Sequence, residues 1–246
     1  MEKPEYELMY RIETTYWWYT ARRWLVMRIL RRHLKGSSLA GLDVGCGTGG
    51  NIMALNKFST MSGCDIAPEA VDFCRNRGLT SVVLQDRPDG LPFPDSRFDF
   101  VTGFDVMEHI ENDARMLADM ARVLKPNGLI LLTVPAYKSL WSVHDESMHH
   151  KRRYDRADLL EKLGAAGFVP ERTTHLNAFL MLLIMPVRRL LTLTKRGREM
   201  SSDFNLPLPR WLNAIFHVVF CSEWAILRFL PLPFGLSLLC VARKRQ

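Results

Sequence analysis

LDVGCGTGG, residues 42–50, is the stretch on which the fold of this 246-residue chain turns. An apolar run beginning near residue 39 meets four closely spaced glycines, so a short buried strand enters a tight turn and then a helix. Gly45, Gly47 and Gly50 satisfy GxGxxG, while Gly45, Gly47 and Gly49 satisfy GxGxG. The glycines alone therefore allow either a dinucleotide or S-adenosylmethionine, because a turn free of Cβ atoms lets backbone approach a ligand lying across the strand ends. Asp43 separates the two. A carboxylate two residues before the first glycine would repel a pyrophosphate and suits the ammonium and sulfonium charges of S-adenosylmethionine. Asp65 stands twenty positions after Gly45, where an acid at the end of a second strand accepts ribose hydroxyls.

Working outward, strand-like and helix-like segments alternate, which signals a mostly parallel sheet with helices on both faces. Strands are expected near 39–44, 60–65, 80–85, 98–104, 128–135, 168–175 and 236–243. LKPNG (124–128) reads as a helix end and turn. The first 38 residues look helical. Leu25, Val26, Ile29, Leu30 and Leu34 share one face and Arg28, Arg31, Arg32 and Lys35 another, with Gly36-Ser37-Ser38 as the stop. Tyr16, Trp17, Trp18 and Trp24 suit a core, a lid over the cofactor cleft or a bilayer interface, with core or lid the better expectation for Trp17 and Trp18. Between the sixth and seventh strands lie AFLMLLIMPV (178–187), a basic stretch, and WLNAIFHVVFCSEWAILRFLPLPF (211–234). The first is too short to span a bilayer, which takes roughly 20 apolar residues. The second carries Glu223 near its middle, so lying in a membrane interface is the better expectation.

In order along the chain, LDVGCGTGG, GCDIAPEAV (63–71), LPFPDSRFDFV (91–101), FDVMEHI (104–110) and LKPNGLILLTVP (124–135) resemble the class I S-adenosylmethionine-dependent methyltransferases, especially the group including ubiquinone and menaquinone methyltransferases. The resemblance covers about residues 40–135. It implies an α/β, Rossmann-like sheet of seven strands whose last strand is antiparallel, for which SLLCVARK (237–244) is the candidate. With the helical and apolar segments read above, the chain divides into an N-terminal amphipathic helical cap (1–38), a cofactor-binding core (39–175), a hydrophobic helical insertion (176–235) and a last strand with a basic tail (236–246). By the same resemblance Asp43, Gly45, Cys46, Gly47 and Gly49 surround the methionine portion, Asp65 and Ile66 the ribose and adenine, and Phe104 and Asp105 the methyl-donor pocket. Asp86 is the candidate acid for the adenine amino group, with Asp89 behind it, since Arg87 stands where the family usually has the acid. Glu108 and His109 read as architectural or cofactor-side.

HDESMHHKRRY (144–154) follows the fifth strand, where this fold faces the acceptor. It resembles the HDxxxGHxRRY pattern of a bacterial subgroup with hydrophobic C-terminal segments, except that His149 replaces the glycine. Methyl transfer to a hydroxyl requires a base aligned with the donor, and histidine is suited to that near neutral pH. His144 and His150 are the candidates, with Arg152, Arg153 and Tyr154 fixing an anionic part of the acceptor; the alternative is structural, with His144 capping a turn, the two arginines paired with nearby acids and Tyr154 packed against the helix that follows. Four side chains here, His144, Asp145, His149 and His150, could converge on zinc, but methyl transfer needs no metal and none is expected.

The net charge of +7 favours an anionic partner or surface. The long apolar insertion is the wrong surface for nucleic acid. Five cysteines without a CxxC pair argue against a disulfide framework and fit a reducing cytosol. The N-terminus MEKPEYELMYRIE gives no sign of export. Together these lead to a cytoplasmic enzyme, peripheral to the inner leaflet, that methylates a hydrophobic or lipid-linked acceptor, most simply on oxygen. Two rivals keep the cofactor. One makes the insertion a lid or dimer interface over a soluble small molecule; the other is a pseudoenzyme tethering a partner to the membrane.

Overall fold

The computed structural model describes residues 3–36, 38–182 and 208–245. Seven strands form one sheet: β1 (Leu39–Val44), β2 (Ser59–Asp65), β3 (Val82–Leu84), β4 (Phe98–Phe104), β5 (Leu124–Pro135), β6 (Phe168–Leu176) and β7 (Ser237–Lys244). Their order is β3-β2-β1-β4-β5-β7-β6. The first five run parallel, and β7 is antiparallel to both β5 and β6, as expected from the sequence. β1 pairs with both β2 and β4, so the chain reverses its direction of winding there. The crevice at such a switch point, outside the carboxyl ends of the strands, is where open α/β sheets bind ligands. It is where the glycine loop emerges.

Sheet burial follows from composition. Leu129 to Leu132 of β5 are each at most 1% exposed, which an apolar run covered on both faces requires. One boundary differs from expectation: β5 starts at Leu124, so LKPNG belongs to the strand. Leu124 pairs with Phe98, the register shifts, and pairing resumes at Leu129 with Phe100. Asn127 takes a left-handed φ of +60° within this irregularity, where the expected turn is absorbed as a bulge.

The helices that cover the sheet are α3 (Gly50–Leu55), α4 (Pro68–Asn76), α5 (Asp113–Val123), α6 (Val143–Ser147) and α7 (Arg156–Ala165). The N-terminal segment is two helices rather than one, α1 (Lys3–Ile12) and α2 (Trp17–His33). The break has a physical cause. Glu13, 4% exposed, turns inward to accept from the Thr48 hydroxyl and to pair with Arg77 at 2.9 Å and Arg23 at 3.5 Å. A buried carboxylate needs such partners. Leu25, Val26, Ile29 and Leu30 are buried as the helical spacing predicts, each stabilising by roughly 1.5–3 kcal/mol relative to exposure. The basic side of α2 is not simply solvated. Arg28 lies 4.1 Å from the Trp24 ring, Arg31 4.7 Å from Phe58 and Arg32 4.6 Å from Trp224, a geometry that favours guanidinium over aromatic faces.

Two further helices, α8 (Arg210–Ser222) and α9 (Trp224–Leu227), precede β7. α8 packs along α2: Asn213 accepts from the Trp17 amide at 2.9 Å, and Phe216 and Phe220 meet the Trp17 ring edge-on. Glu223 is buried and accepts from the amides of Asn177 and Phe179 at 2.8 and 3.1 Å. The expected midpoint charge is thus a link to the end of β6, and burial pushes its carboxyl up to about 7. Residues 183–187, the second half of AFLMLLIMPV, and the basic stretch after them lie outside the described residues. Among the described residues no helix is long and apolar enough to cross a membrane.

A candidate cofactor cleft and acceptor loop

After β1 the chain turns through Gly45, Gly47 and Gly49 with φ of +63°, +54° and +88°, a left-handed region open chiefly to glycine. A Cβ at Gly45 would collide with Val106, and one at Gly47 would meet the Met9 sulfur of α1 at 3.0 Å. The N-terminal segment therefore sits directly on the loop. Cys46 is buried, its amide bonded to the Cys64 carbonyl at 3.0 Å. Asp65 closes β2 and organises the turn, with Oδ2 accepting from the Gly47 amide at 2.8 Å and Oδ1 from the Ala67 amide at 3.0 Å. The Tyr6 hydroxyl reaches Asp65 Oδ1 at only 3.5 Å, the weakest contact of the set. Ile66, half exposed beside it, offers a flat apolar surface.

Asp43 is 1% exposed. Its Oδ1 accepts from the Thr102 hydroxyl at 2.6 Å, while Oδ2 has no hydrogen-bond partner among the described residues. A buried carboxylate oxygen left unpaired at a strand end calls for a cation. Burial pushes this carboxyl up to about 7, against the lowering influence of Thr102 and of Arg22 and Arg23. S-adenosylmethionine fits what is present: the glycine turn, the orphan Asp43 oxygen for its positive charges, and Asp65 for its ribose.

The titration of Asp43 has a sign that can be checked. A cationic ligand favours the ionised carboxylate, so below about pH 7 binding must expel a proton from Asp43. Affinity for S-adenosylmethionine is expected to rise by up to about tenfold per pH unit below that point and to level off above it. Asp43→Asn should flatten the profile. Calorimetry in buffers of different ionisation heat would measure the released proton directly.

Asp86 is exposed past β3, and Asp89 pairs with Arg115 at 3.4 Å. At that strand end the buried polar side chain is Gln85, whose amide nitrogen donates to the Arg87 carbonyl at 2.6 Å. Phe104 is nearly buried. Asp105 adopts φ of +54°, accepts from the Thr133 hydroxyl at 3.0 Å and forms an ion pair with Arg22. Arg22, which the sequence placed only in a basic run, is buried among the rings of Trp18, Tyr19 and Phe104, and burial lowers it to about 10. Spacing could not have singled it out from its neighbours.

HDESMHHKRRY forms α6 and the loop that follows. Asp145 is fully buried, and both its oxygens are engaged. Oδ2 accepts from the Ser142 amide and hydroxyl at 2.9 and 3.1 Å, and Oδ1 from Arg153 Nε at 2.7 Å and His150 Nδ1 at 2.9 Å. Burial raises this carboxyl, but the His150 and Arg153 bonds outweigh it and hold it well below the usual range. His149 has φ of +55°, the conformation its glycine counterpart would adopt freely, so the turn survives and an exposed ring is added. The His150 ring lies 4.8 Å from that of His109 and 6.0 Å from that of His144.

Arg152, Arg153 and Tyr154 take on a task different from the expected acceptor clamp. Arg153 also donates to the Ala136 carbonyl, and Arg152 binds Asp113 at 3.1 Å and the Glu111 carbonyl at 2.8 Å. The Tyr154 hydroxyl, in the core, donates to Asp113 at 2.8 Å. All three tie the loop to the body of the protein. Glu108 is buried with Oε2 unpartnered among the described residues, and burial pushes it up to about 8. Glu108, His109 and His150 bring three ligand-type atoms within 4.8 Å of one another.

A sheet of this order with a glycine loop and carboxylates at its switch point defines a Rossmann-like domain of the kind that binds S-adenosylmethionine. The methyltransferase domain family matches residues 42–132. An uncharacterized protein of Methanocaldococcus jannaschii is 32% identical over 154 residues, covering 59% of this chain and 71% of that protein. A probable tRNA methyltransferase 9B of Mus musculus is 31% identical over 143 residues, which is 57% of this chain but only 29% of the relative's length. A methyltransferase of Thermotoga maritima, described as a possible histamine N-methyltransferase, superposes with a TM-score of 0.61 at 16% identity, covering 98% of this chain and 96% of that one. The chain belongs to the class I S-adenosylmethionine-dependent methyltransferases.

Proposed function

We propose that this chain transfers a methyl group from S-adenosylmethionine to an oxygen of a hydrophobic, lipid-linked acceptor at an anionic membrane surface on the cytoplasmic side. When bound, the cofactor supplies an electrophilic methyl on a sulfonium. Asp43 would neutralise its positive charge, the glycine loop and Asp65 would orient it, and Phe104 with the Arg22–Asp105 pair would shield the donor side from water. His150, held through Nδ1 by Asp145, presents its other nitrogen for the acceptor's proton. His144 lies on α6, with its ring 6.0 Å from that of His150.

The observation that carries the membrane reading is an apolar ridge on α8 and the turn that follows α9. Trp211, Ile215 and Val218, at helical spacing, are 65%, 48% and 64% exposed, and Phe229 and Leu230 are 71% and 64% exposed. Exposed Arg28, Arg32, Arg210 and Arg228 belong to the same packed helices. Rings and aliphatic side chains beside cations suit the interface of an anionic leaflet, where each cation contributes about 1 kcal/mol. The full chain is expected to sediment with vesicles containing phosphatidylglycerol at low salt and to be released at high salt, with Val218→Glu and Phe229→Glu weakening capture more than tenfold. Protein that stays in the supernatant at low salt, or a defined dimer that buries this ridge, removes the membrane reading.

A further inference from the structure

We propose that Glu108, His109 and His150 together bind one divalent transition-metal ion of the zinc class, which holds the acceptor oxygen. The proposal rests on the reading of this loop cluster as the acceptor side and deepens it.

Two imidazoles and a carboxylate are a donor set that zinc and its neighbours favour, and three protein ligands leave a fourth position open to a substrate oxygen. His150 Nδ1 is bonded to Asp145 at 2.9 Å, which orients that ring and keeps its other nitrogen available, the arrangement seen around metal-ligating histidines. The His109 ring stands edge-on to it, with centroids 4.8 Å apart. The Glu108 side chain is 1% exposed, and its Oε2 finds no hydrogen-bond partner among the described residues. A cation beside that oxygen would satisfy it, whereas protein alone leaves it uncompensated.

The ligand atoms lie within 4.8 Å of one another. A tetrahedral set bound at about 2.0–2.1 Å brings its donors to roughly 3.3 Å apart, so side-chain rotation must draw the trio inward. Glu108 and His109 come from the connection after β4, and His150 from that after β5. The ion would thus join the two loops facing the acceptor. This differs from the ligand set the sequence suggested, since His149 is exposed and Asp145 is spent on His150 and Arg153.

With the ion in place, His150 is a ligand and the metal lowers the pKa of the acceptor's hydroxyl. The O–H proton leaves to solvent, the O–CH3 bond forms as the S–CH3 bond breaks, and S-adenosylhomocysteine departs. Without the ion, the same His150 nitrogen takes the proton.

The full chain, stripped by chelator, should bind one equivalent of Co2+ with visible ligand-field absorption, lost when Zn2+ displaces it. Glu108→Gln, His109→Asn and His150→Gln should each weaken binding by more than tenfold, and His149→Gly, on the same loop, should leave it unchanged. Circular dichroism identifies any variant that has lost its fold, and the other substitutions then carry the test. No cobalt spectrum, or one that persists in both His109→Asn and His150→Gln, overturns the site. Stoichiometric binding by a protein that methylates nothing removes the proposed function but supports the site, whereas methylation by a protein that binds no metal removes the site alone.

Discussion

Asp65→Ala is expected to weaken S-adenosylmethionine binding at least about a hundredfold, beyond detection by calorimetry at ordinary protein concentrations. Two effects add. The carboxylate would accept the ribose hydroxyls, and charge-assisted hydrogen bonds of that kind contribute about 1.5–3 kcal/mol each. It also holds the Gly47 and Ala67 amides at 2.8 and 3.0 Å, so its loss frees the turn that must approach the ligand. Asp65→Asn keeps an acceptor and should fall between wild type and alanine. Burial raises this carboxyl, and the two amides together with the Tyr6 hydroxyl are what oppose that rise. Retained affinity in Asp65→Ala would mean that the ribose lies elsewhere.

The second large effect concerns the acceptor side. His150→Ala should lower turnover by about 10²–10⁴-fold while leaving the dissociation constant for S-adenosylmethionine unchanged, because the ring lies among His109, His144 and Asp145 and not against the glycine loop. Added imidazole should restore part of the rate in the alanine variant, a result that a purely structural ring would not give. Asp145→Asn is expected to behave differently. It leaves Arg153 buried beside a neutral amide, and breaking a buried ion pair costs about 3–5 kcal/mol, so this variant should lose thermal stability as well as rate. A normal rate in His150→Ala would assign the histidine to loop structure.

What could be read from the chain alone is what depends on neighbours in sequence. The left-handed glycines at 45, 47 and 49, the seven strands and the buried face of α2 follow from local period, turn chemistry and apolar runs, whereas the antiparallel direction of SLLCVARK comes from the family resemblance. The departures arise where distant residues meet. Nothing near Glu13 indicates that Thr48, Arg23 and Arg77 will converge on it, and that convergence breaks the first helix in two. Arg22 reads as one cation among several until α2 is laid beside the end of β4, where it pairs with Asp105. Arg153 and Tyr154 resemble a recognition pair by composition. Their burial beside Asp145 and Asp113, eight and forty-one residues away, decides instead that they brace the loop. His149 is the converse case: a local backbone demand for left-handed φ persists although the glycine that would meet it is gone.

Taken together, Asp43, Asp65 and the glycine loop form the cofactor side. The His150 cluster is proposed to form the acceptor side, and the exposed ridge of α8 and the turn after α9 to bring a lipid-borne substrate to both. The most direct test is to incubate the full chain with S-adenosylmethionine labelled in its methyl group and a membrane-lipid extract, then to separate and weigh the products. The account predicts label in a lipid-soluble product one methylene unit heavier than its precursor, with the new methyl on oxygen and formation lost in Asp65→Ala. Label found only in water-soluble products, or none transferred by a protein that binds the cofactor, would contradict it.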